Sequence, residues 1–446
     1  MAEPRPTPAT PEAETGTVAY LLKGYPRLSE IFIASEIHRL ERAGLRVRLY
    51  VIKQPDESVW HPVVDRIRAE PSYLPPADSV SATSAWRWLR ANLRPFLPSL
   101  AATARRRPGG LLRAGAAALA QAIRARDSRR DWPRKVYLKE LLQAVALSER
   151  LLAAPDVRHL HAHFAHGCTT VAWLASLITG LPFSFTGHAK DIYAERLNPA
   201  GLLRRKLLAA RFAVTCTEAN RLHLQRIAPE ADVHRVYHGL NADFSRLLDE
   251  GAPARAPNGR MRILGVGRLV EKKGFDVFVD ACAELARRDL PFEAAIIGED
   301  GAHGDEVRRR IAARGLEDRL ALAGPKTQAE LLDEYRRADA LCLPCRIVDG
   351  GDRDGIPNVL VEAMACGVPS VTTAISGIPE LIEDGRNGLL VAPDDPEAAA
   401  VALQRIHTDR ELAGRLASAA RATVRERFDG DRLTDELIAL FRRVGR

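Results

Sequence analysis

Apolar and polar positions along the chain follow two alternating patterns. The run Thr17-Val-Ala-Tyr-Leu-Leu predicts a buried strand, and residues 28–40 carry apolar side chains at helical spacing behind Ser29, a good N-cap residue. Gly44 closes that helix, and 47–52 predicts a second strand. Residues 54–80 are Pro-rich and irregular. Residues 85–126 mix apolar and basic stretches interrupted by Pro95, Pro98 and Pro108. Helix resumes near 134–153, followed by strand 159–164, helix 169–179, strand 182–186, helix 199–210, strand 212–217 and helix 218–227. Strands alternating with helices predict a parallel sheet covered on both faces.

Residues 250–260 are rich in Ala, Pro and Gly, and 251–260 is assigned as a linker. Beyond it the alternation restarts: strand 261–266, helix 275–287, strand 292–298, helix 305–314, strand 320–323, helix 327–338 and strand 340–344. An acidic loop and a short helix follow, then strand 370–373, helix 378–382, strand 388–391 and terminal helices. The fold class is therefore α/β, with two doubly wound, Rossmann-like domains facing across a cleft. The first spans 17–250 and carries a basic helical insertion at about 54–135; the second spans 261–428. Ligands of such sheets bind at the carboxyl ends of the strands. Residues 1–16 are polar and Pro- and Thr-rich, which predicts a disordered tail.

Composition narrows the function classes. The chain has 446 residues and six scattered cysteines, too few for a disulfide framework. No apolar run approaches the roughly 20 residues of a membrane span, and the N-terminus lacks the apolar core of a signal peptide. A cytoplasmic location is the expectation. The net charge is +8, but residues 86–135 alone hold thirteen Arg or Lys against two Asp, a net of +11. The basic character belongs to that one segment.

The chemistry concentrates in a few loops. Asp354-Gly-Ile-Pro-Asn-Val-Leu-Val-Glu362 sets two carboxylates on either side of a helix start, with Pro357 suited to its first turn. The N–H groups around Gly355, Ile356, Pro357, Asn358 and Val359 would form an anion site. Gly265-Val-Gly-Arg-Leu-Val-Glu-Lys-Lys-Gly274 follows a strand, so Gly267, Arg268 and Lys273 fall at its tip. Two cations there suit a diphosphate, although a solvated basic turn has the same composition. His188, just past another strand, could donate to a sugar oxygen or take a proton, or be a satisfied core histidine. Gly24, in the loop after the first strand, allows close approach of a ligand, while Ser29 and Glu30 serve equally as caps. His159, His161 and His163 alternate on one strand, but no Cys or carboxylate set completes a metal site, and no metal is assigned. Cys342 and Cys345 end an apolar strand and are expected to be core residues.

These strings together resemble the retaining GT-B glycosyltransferases of family 4, of the exopolysaccharide and colanic-acid type. The resemblance rests on Gly-Arg-Leu-Val-Glu-Lys-Lys-Gly at 267–274, the acidic pair 354 and 362, and Gly-Ile-Pro-Glu-Leu at 377–381. It also rests on Tyr-Pro-Arg-Leu-Ser-Glu-Ile-Phe-Ile from Tyr25, Phe-Thr-Gly-His-Ala-Lys-Asp-Ile from Phe185 and Val-Tyr-His-Gly-Leu-Asn from Val236. It covers nearly the whole chain outside about 54–135. It implies that Arg268 and Lys273 hold the donor diphosphate, that Glu362 binds the ribose hydroxyls and that the first carboxylate contacts the donor sugar. His188 would lie near the reacting centre, Gly24 near the diphosphate, and the helix 429–446 would cross back to the first domain. One departure stands out: the family's first carboxylate is usually Glu, and here it is the shorter Asp354.

The implied function is metal-independent transfer of a hexose, with retention, from a UDP-, GDP- or ADP-sugar to a glycan or lipid-linked glycan acceptor. No cofactor is required. The alternative is an inactive GT-B-like protein that binds glycans or nucleotide-sugars. A nicotinamide-dependent oxidoreductase is argued against, since no Gly-x-Gly-x-x-Gly follows the first strand. Trp86, Trp88, Leu89, Leu97 and Leu111 interleave with Arg in the basic segment. That composition fits a peripheral anionic membrane surface, or a solvated helical insertion; nucleic acid is not expected.

Overall fold

Strand β1 (Thr17–Gly24) directs Val18, Tyr20 and Leu22 into one apolar cluster and Ala19 and Leu21 into another. A strand buried on both faces belongs inside a parallel sheet covered by helices. In this computed structural model the described residues are 16–445, apart from 28–29, 56–59, 81–83, 129, 241–243, 245–246 and 249–258. The expected tail up to residue 15, the Ser29 cap and linker residues 251–258 lie outside them.

The described chain forms two units. One contains the chain through Thr215, His223–Val236 and the chain from Thr434; the other contains Cys216–Leu222 and Tyr237–Leu433. The first unit follows β1 with α1 (Ile31–Arg42), β2 (Arg46–Lys53) and β3 (Pro71–Tyr73). Three helices follow: α2 (Ala85–Asn92), α3 (Leu97–Arg106) and α4 (Pro108–Arg124). After α5 (Val136–Leu152) come β4 (Val157–His163), α6 (Cys168–Thr179), β5 (Phe183–Gly187), α7 (Lys190–Tyr193) and α8 (Leu202–Ala209). β6 (Ala213–Thr215) and β7 (Val233–Arg235) complete its sheet, and of α9 (Glu218–Ile227) between them the residues through Leu222 belong to the second unit and those from His223 to the first. The seven strands are ordered β3-β2-β1-β4-β5-β6-β7, and every pair is parallel. The order reverses direction between β1 and β4.

The segment 54–80, expected to be irregular, contains β3. The strand is short, begins at Pro71 and sits at the sheet edge, where a missing N–H costs no ladder bond. Pro98 and Pro108 start helices rather than end them. Pro98 lies in the first turn of α3 and Pro108 is the first residue of α4, where the missing N–H has no helical partner to lose. Trp88 and Phe96 anchor the insertion in the core. Gly110, Ala114, Ala118 and Ala122 form the buried side of α4 at four-residue spacing. A Cβ on Gly110 would run into the backbone carbonyl of Ile178 in α6.

The second unit contains β8 (Met261–Val266), α10 (Phe275–Arg287), β9 (Phe292–Ile297), α11 (Gly304–Ala313) and β10 (Leu320–Gly324). It continues with α12 (Gln328–Arg337), β11 (Ala340–Leu343), α13 (Asn358–Ala365), β12 (Ser370–Thr373), α14 (Ile378–Leu381) and β13 (Leu389–Val391). Helices α15 (Pro396–Thr408) and α16 (Arg410–Arg427) follow. The sheet order is β10-β9-β8-β11-β12-β13, all parallel, with its own reversal between β8 and β11. The last helix, α17 (Gly430–Gly445), contributes Phe441 to the first unit, against Tyr20, His159, His161 and Phe212. Among the described residues no helix is long and apolar enough to cross a membrane.

Candidate functional site

A doubly wound sheet opens a crevice beyond the strand tips where its order reverses. In the second unit that place lies between β8 and β11, and the loops leaving those two strands carry most of the expected site residues. The β8 loop is tightly wedged. A Cβ on Gly298, after β9, would strike the Gly267 carbonyl, and one on Gly274 would strike the Pro344 carbonyl beyond β11. Gly274 also has φ +69°, the left-handed region that glycine adopts without penalty.

This wedge aims the loop's lysines. Lys273 runs its stem across Gly267, where a Cβ would lie 3.0 Å from its Cε. Its Nζ reaches Asp354 Oδ2 at 2.7 Å, and Lys272 Nζ lies 3.0 Å from Asp354 Oδ1 and 3.1 Å from Asp352 Oδ1. Burial alone would raise the pKa of Asp354, but the two ammonium groups outweigh it and hold the carboxyl well below the usual carboxylate range. Burial likewise opposes the charge on Lys272, and Asp354 and Asp352 outweigh it and raise its pKa. Arg268 is exposed and pairs with no carboxylate among the described residues.

The β11 loop then turns into α13. Gly355 is buried against Thr217, with room for a Cβ only at 3.2 Å from its methyl group. Pro357 is not in the first turn, as the sequence suggested, but one step before it. Its ψ of 124° is extended, and its carbonyl accepts from Leu360 N at 3.0 Å, so it is the cap and Asn358 is the first helical residue. The N–H groups of Gly355, Ile356, Asn358 and Val359 find no acceptor among the described residues. Orphan donors at a helix start bind anions.

Glu362 lies one turn into α13 and is buried. The Tyr335 hydroxyl donates to its Oε2 at 3.3 Å. Burial pushes its pKa up to about 7, against the opposing pull of Tyr335 and Lys273. In the 377–381 segment Glu380 accepts from the N–H groups of Glu218 at 2.6 Å and Ala219 at 2.8 Å, and from the Tyr237 hydroxyl at 3.1 Å. It caps the start of α9.

The sequence reasoning missed Lys272, Tyr335 and the pair Asp276–Arg346. Lys272 stood beside Lys273 in plain view, but a doublet does not reveal that both ammonium groups turn to one carboxylate. Arg346 donates to both oxygens of Asp276 at 2.9 and 2.8 Å, and its backbone N–H donates to the Lys272 carbonyl at 3.0 Å. It thereby ties the lysine loop to the start of α10, a link between residues 70 positions apart that carries no local signal.

In the first unit the sheet order reverses between β1 and β4. Gly24 closes β1 in register with Lys53, and a Cβ there would press on the Arg27 side chain at 3.3 Å. Beyond the tip of β4, Glu36, His163 and His188 form a chain. Tyr20 donates its hydroxyl to Glu36 Oε1 at 2.9 Å, His163 Nε2 lies 3.2 Å from the same oxygen, and His163 Nδ1 lies 3.4 Å from His188 Nε2. Burial opposes the charge on Glu36, but His163 dominates and its pKa falls to about 2. An ionised Glu36 calls for an N–H at His163 Nε2. Burial lowers the His188 pKa to about 3, so the ring is neutral. Asp191 braces the loop, accepting from His188 N at 3.1 Å and Ala165 N at 2.6 Å.

Glu36, His161 and His163 also bring potential ligand atoms within 4.8 Å of one another. Both ring nitrogens of His161 already face hydroxyls, Ser184 at 2.7 Å and Thr186 at 3.0 Å, and both of His163 are engaged as above. Ser184 is shared with His159 Nε2 at 2.6 Å. Cys342 and Cys345 are buried, with thiol pKa values raised by burial, that of Cys345 to about 12.

Residues 251–423 match the family model for glycosyl transferases group 1, a stretch that contains the β8 loop, Asp354 and Glu362. The putative colanic acid biosynthesis glycosyltransferase WcaL of Escherichia coli K12 is 33% identical over 253 residues, 56% of this chain and 54% of that protein. The amylovoran biosynthesis glycosyltransferase AmsK of Erwinia amylovora is 40% identical over 172 residues, 38% of this chain and 41% of that protein. The chain spans about half the length of the curated relatives it matches. Among solved structures, HepE of Anabaena in complex with UDP and glucose superposes with a TM-score of 0.64 at 17% identity, covering 95% of this chain and 98% of that one. Sucrose-phosphate synthase from Thermosynechococcus elongatus gives 0.66 at 18% identity, covering 96% and 99%. The stretch that matches the group 1 model lies in one of two Rossmann-like domains, a GT-B fold shared with these structures.

Proposed function

We propose that the protein is a retaining, metal-independent hexosyltransferase. It moves a sugar from a nucleoside-diphosphate-sugar to a hydroxyl of a lipid-linked glycan in cell-surface polysaccharide synthesis. The observation that carries this reading is the meeting of Lys273, Asp354 and the unpartnered N–H groups at the start of α13. The names of WcaL and AmsK support the glycan class.

Each residue has a distinct task in this proposal. Lys273, Arg268 and the N–H groups of Gly355, Ile356, Asn358 and Val359 hold the diphosphate and stabilise the charge that grows on it as the glycosidic bond breaks. Fixed donors in a buried loop need no reorganisation at that moment. Glu362, once ionised, accepts from the ribose hydroxyls. Asp354, locked by two lysines, keeps the lysine loop and the helix start in register and meets the donor sugar with whatever acceptor capacity it retains. Neutral His188, braced by Asp191, is the group assigned to a sugar hydroxyl.

Retention follows if the acceptor attacks from the face the diphosphate leaves. The leaving phosphate oxygen then takes the acceptor's proton, the acceptor oxygen forms the new bond to the anomeric carbon, and the nucleoside diphosphate carries away the electron pair of the old bond. Incubation of the purified protein with UDP-, GDP- and ADP-sugars and a lipid-linked acceptor, read by proton NMR at the anomeric position, tests the proposal. A product with the donor's configuration, formed in chelator, is expected. Inversion, or a requirement for a divalent ion, overturns the mechanism.

A further inference from the structure

Helix α4 has two apolar sides, and only one of them is used. Its buried side is the small-residue row Gly110, Ala114, Ala118 and Ala122. The other side holds Leu112, Ala116, Leu119 and Ile123, spaced four, three and four residues apart, which makes a second stripe along the same helix. Leu112 is 74% exposed, Leu119 58% and Ile123 39%. The stripe runs about 17 Å at 1.5 Å per residue. Just past its end the chain folds back, Arg134 N donating to the Ala122 carbonyl at 3.0 Å, and the loop so closed presents Trp132, 90% exposed.

The charge around the stripe is of one sign. Arg105, Arg106, Arg107, Arg113, Arg124 and Arg130 are exposed and pair with no carboxylate among the described residues. The only acids between residues 86 and 135 are Asp127 and Asp131. Asp127 is held by Arg134, and Asp131 accepts from Ser128 N at 2.6 Å. An ordinary solvated surface intersperses both signs and leaves few large apolar side chains outside. A single-sign arginine field around a stripe of Leu and Ile with a terminal Trp has the chemistry of a membrane interface instead. Guanidinium groups reach phosphates, apolar side chains enter the acyl boundary, and Trp sits at headgroup level.

We infer that the outer side of α4, from Leu112 to Ile123 together with Trp132, docks on an anionic phospholipid bilayer. This extends the proposed function, where a lipid-linked acceptor would be met at such a surface, and it rests on that reading only for its purpose. The contact is reversible and lies in the plane of the interface.

Sedimentation of the full-length protein with vesicles tests it. Phosphatidylcholine vesicles containing phosphatidylglycerol are expected to bind the protein, and pure phosphatidylcholine to bind it poorly. Leu112→Ser with Leu119→Ser should weaken binding at least about tenfold, since each change removes a large exposed apolar side chain. Arg124→Gln with Arg130→Gln should weaken it roughly thirtyfold and flatten its salt dependence. All four positions are exposed, so the thermal midpoint should not move. Equal binding to both vesicle types, or binding untouched by the serine pair, overturns the inference. So does a dimer that the serine pair dissociates, which would make the stripe a contact between copies. Sedimentation needs no donor, so a protein that docks without transferring sugar would contradict the proposed function and leave the docking intact.

Discussion

Lys273 Nζ stands 2.7 Å from Asp354 Oδ2, and Lys272 holds the other oxygen of the same carboxylate at 3.0 Å. One short side chain therefore balances two lysines beside the start of α13. Replacing it with Asn leaves two like charges in a largely buried loop. Breaking such a pair costs about 3 kcal/mol. Urea unfolding should show Asp354→Asn destabilised by that order. Asp354→Glu keeps the charge but adds one carbon–carbon bond of reach. It should retain stability within about 1 kcal/mol and change the ranking of donor sugars, read from initial rates with a donor panel. An unchanged ranking would mean that the length of this side chain is immaterial to the donor.

Glu362 gives the site a pH dependence. Its carboxyl is pushed up to about 7 by burial, above an ordinary value near 4.5. The native state therefore holds a proton that the unfolded chain releases between those two values. Stability from this group is full below about 4.5 and falls as pH rises toward 7. Glu362→Gln should remove that fall and stabilise the unliganded protein at pH 8, measured by thermal unfolding across pH. Donor binding should respond in the opposite direction. Ribose hydroxyls need the ionised form, so affinity should strengthen from pH 6 to pH 8 in the wild type and not in Glu362→Gln.

The Glu36–His163–His188 chain holds the His188 ring in place. Glu36→Gln removes the charge that holds His163 Nε2–H. Turnover should fall at least about tenfold while KM for the donor changes little, because orientation rather than binding is lost. Steady-state kinetics on donor and acceptor separate the two. A matching rise in KM with unchanged kcat would assign these residues to binding.

Gly110 is where α4 crosses α6. Gly110→Ala should destabilise the first unit by about 1–3 kcal/mol through overpacking against the Ile178 carbonyl, despite the better helix propensity of Ala. Chemical denaturation checks the sign. Stabilisation would show that the crossing gives way.

Much of the fold was legible because parallel sheets announce themselves. The buried runs of β1, β8 and β11 and the amphipathic spacing of α10 are local signals, and elements met near their expected bounds follow from them. What escaped was short or non-local. β3 and β7 have three residues each, too few for a pattern, and β3 begins with Pro. The site divides along the same line. The Lys272–Lys273 doublet, Asp354 and Glu362 were visible as types, but which cation meets which oxygen depends on Gly267, Gly274 and Gly298 packing three loops together. Glu380 appeared only as part of a string; its grip on the N–H groups of Glu218 and Ala219 joins residues over 160 positions apart. A proline suits both the cap and the first turn of a helix, and only the ψ of Pro357 shows that it is the cap.

Calorimetric titration of a matching nucleoside-diphosphate-sugar into the wild type, Lys273→Ala and Arg268→Ala tests the central claim most directly. The wild type should bind one donor per chain, and each variant should bind at least about tenfold more weakly, the loss expected for one charge-assisted contact to a phosphate. Undiminished affinity in both variants would contradict the assignment of this loop and helix start to the diphosphate.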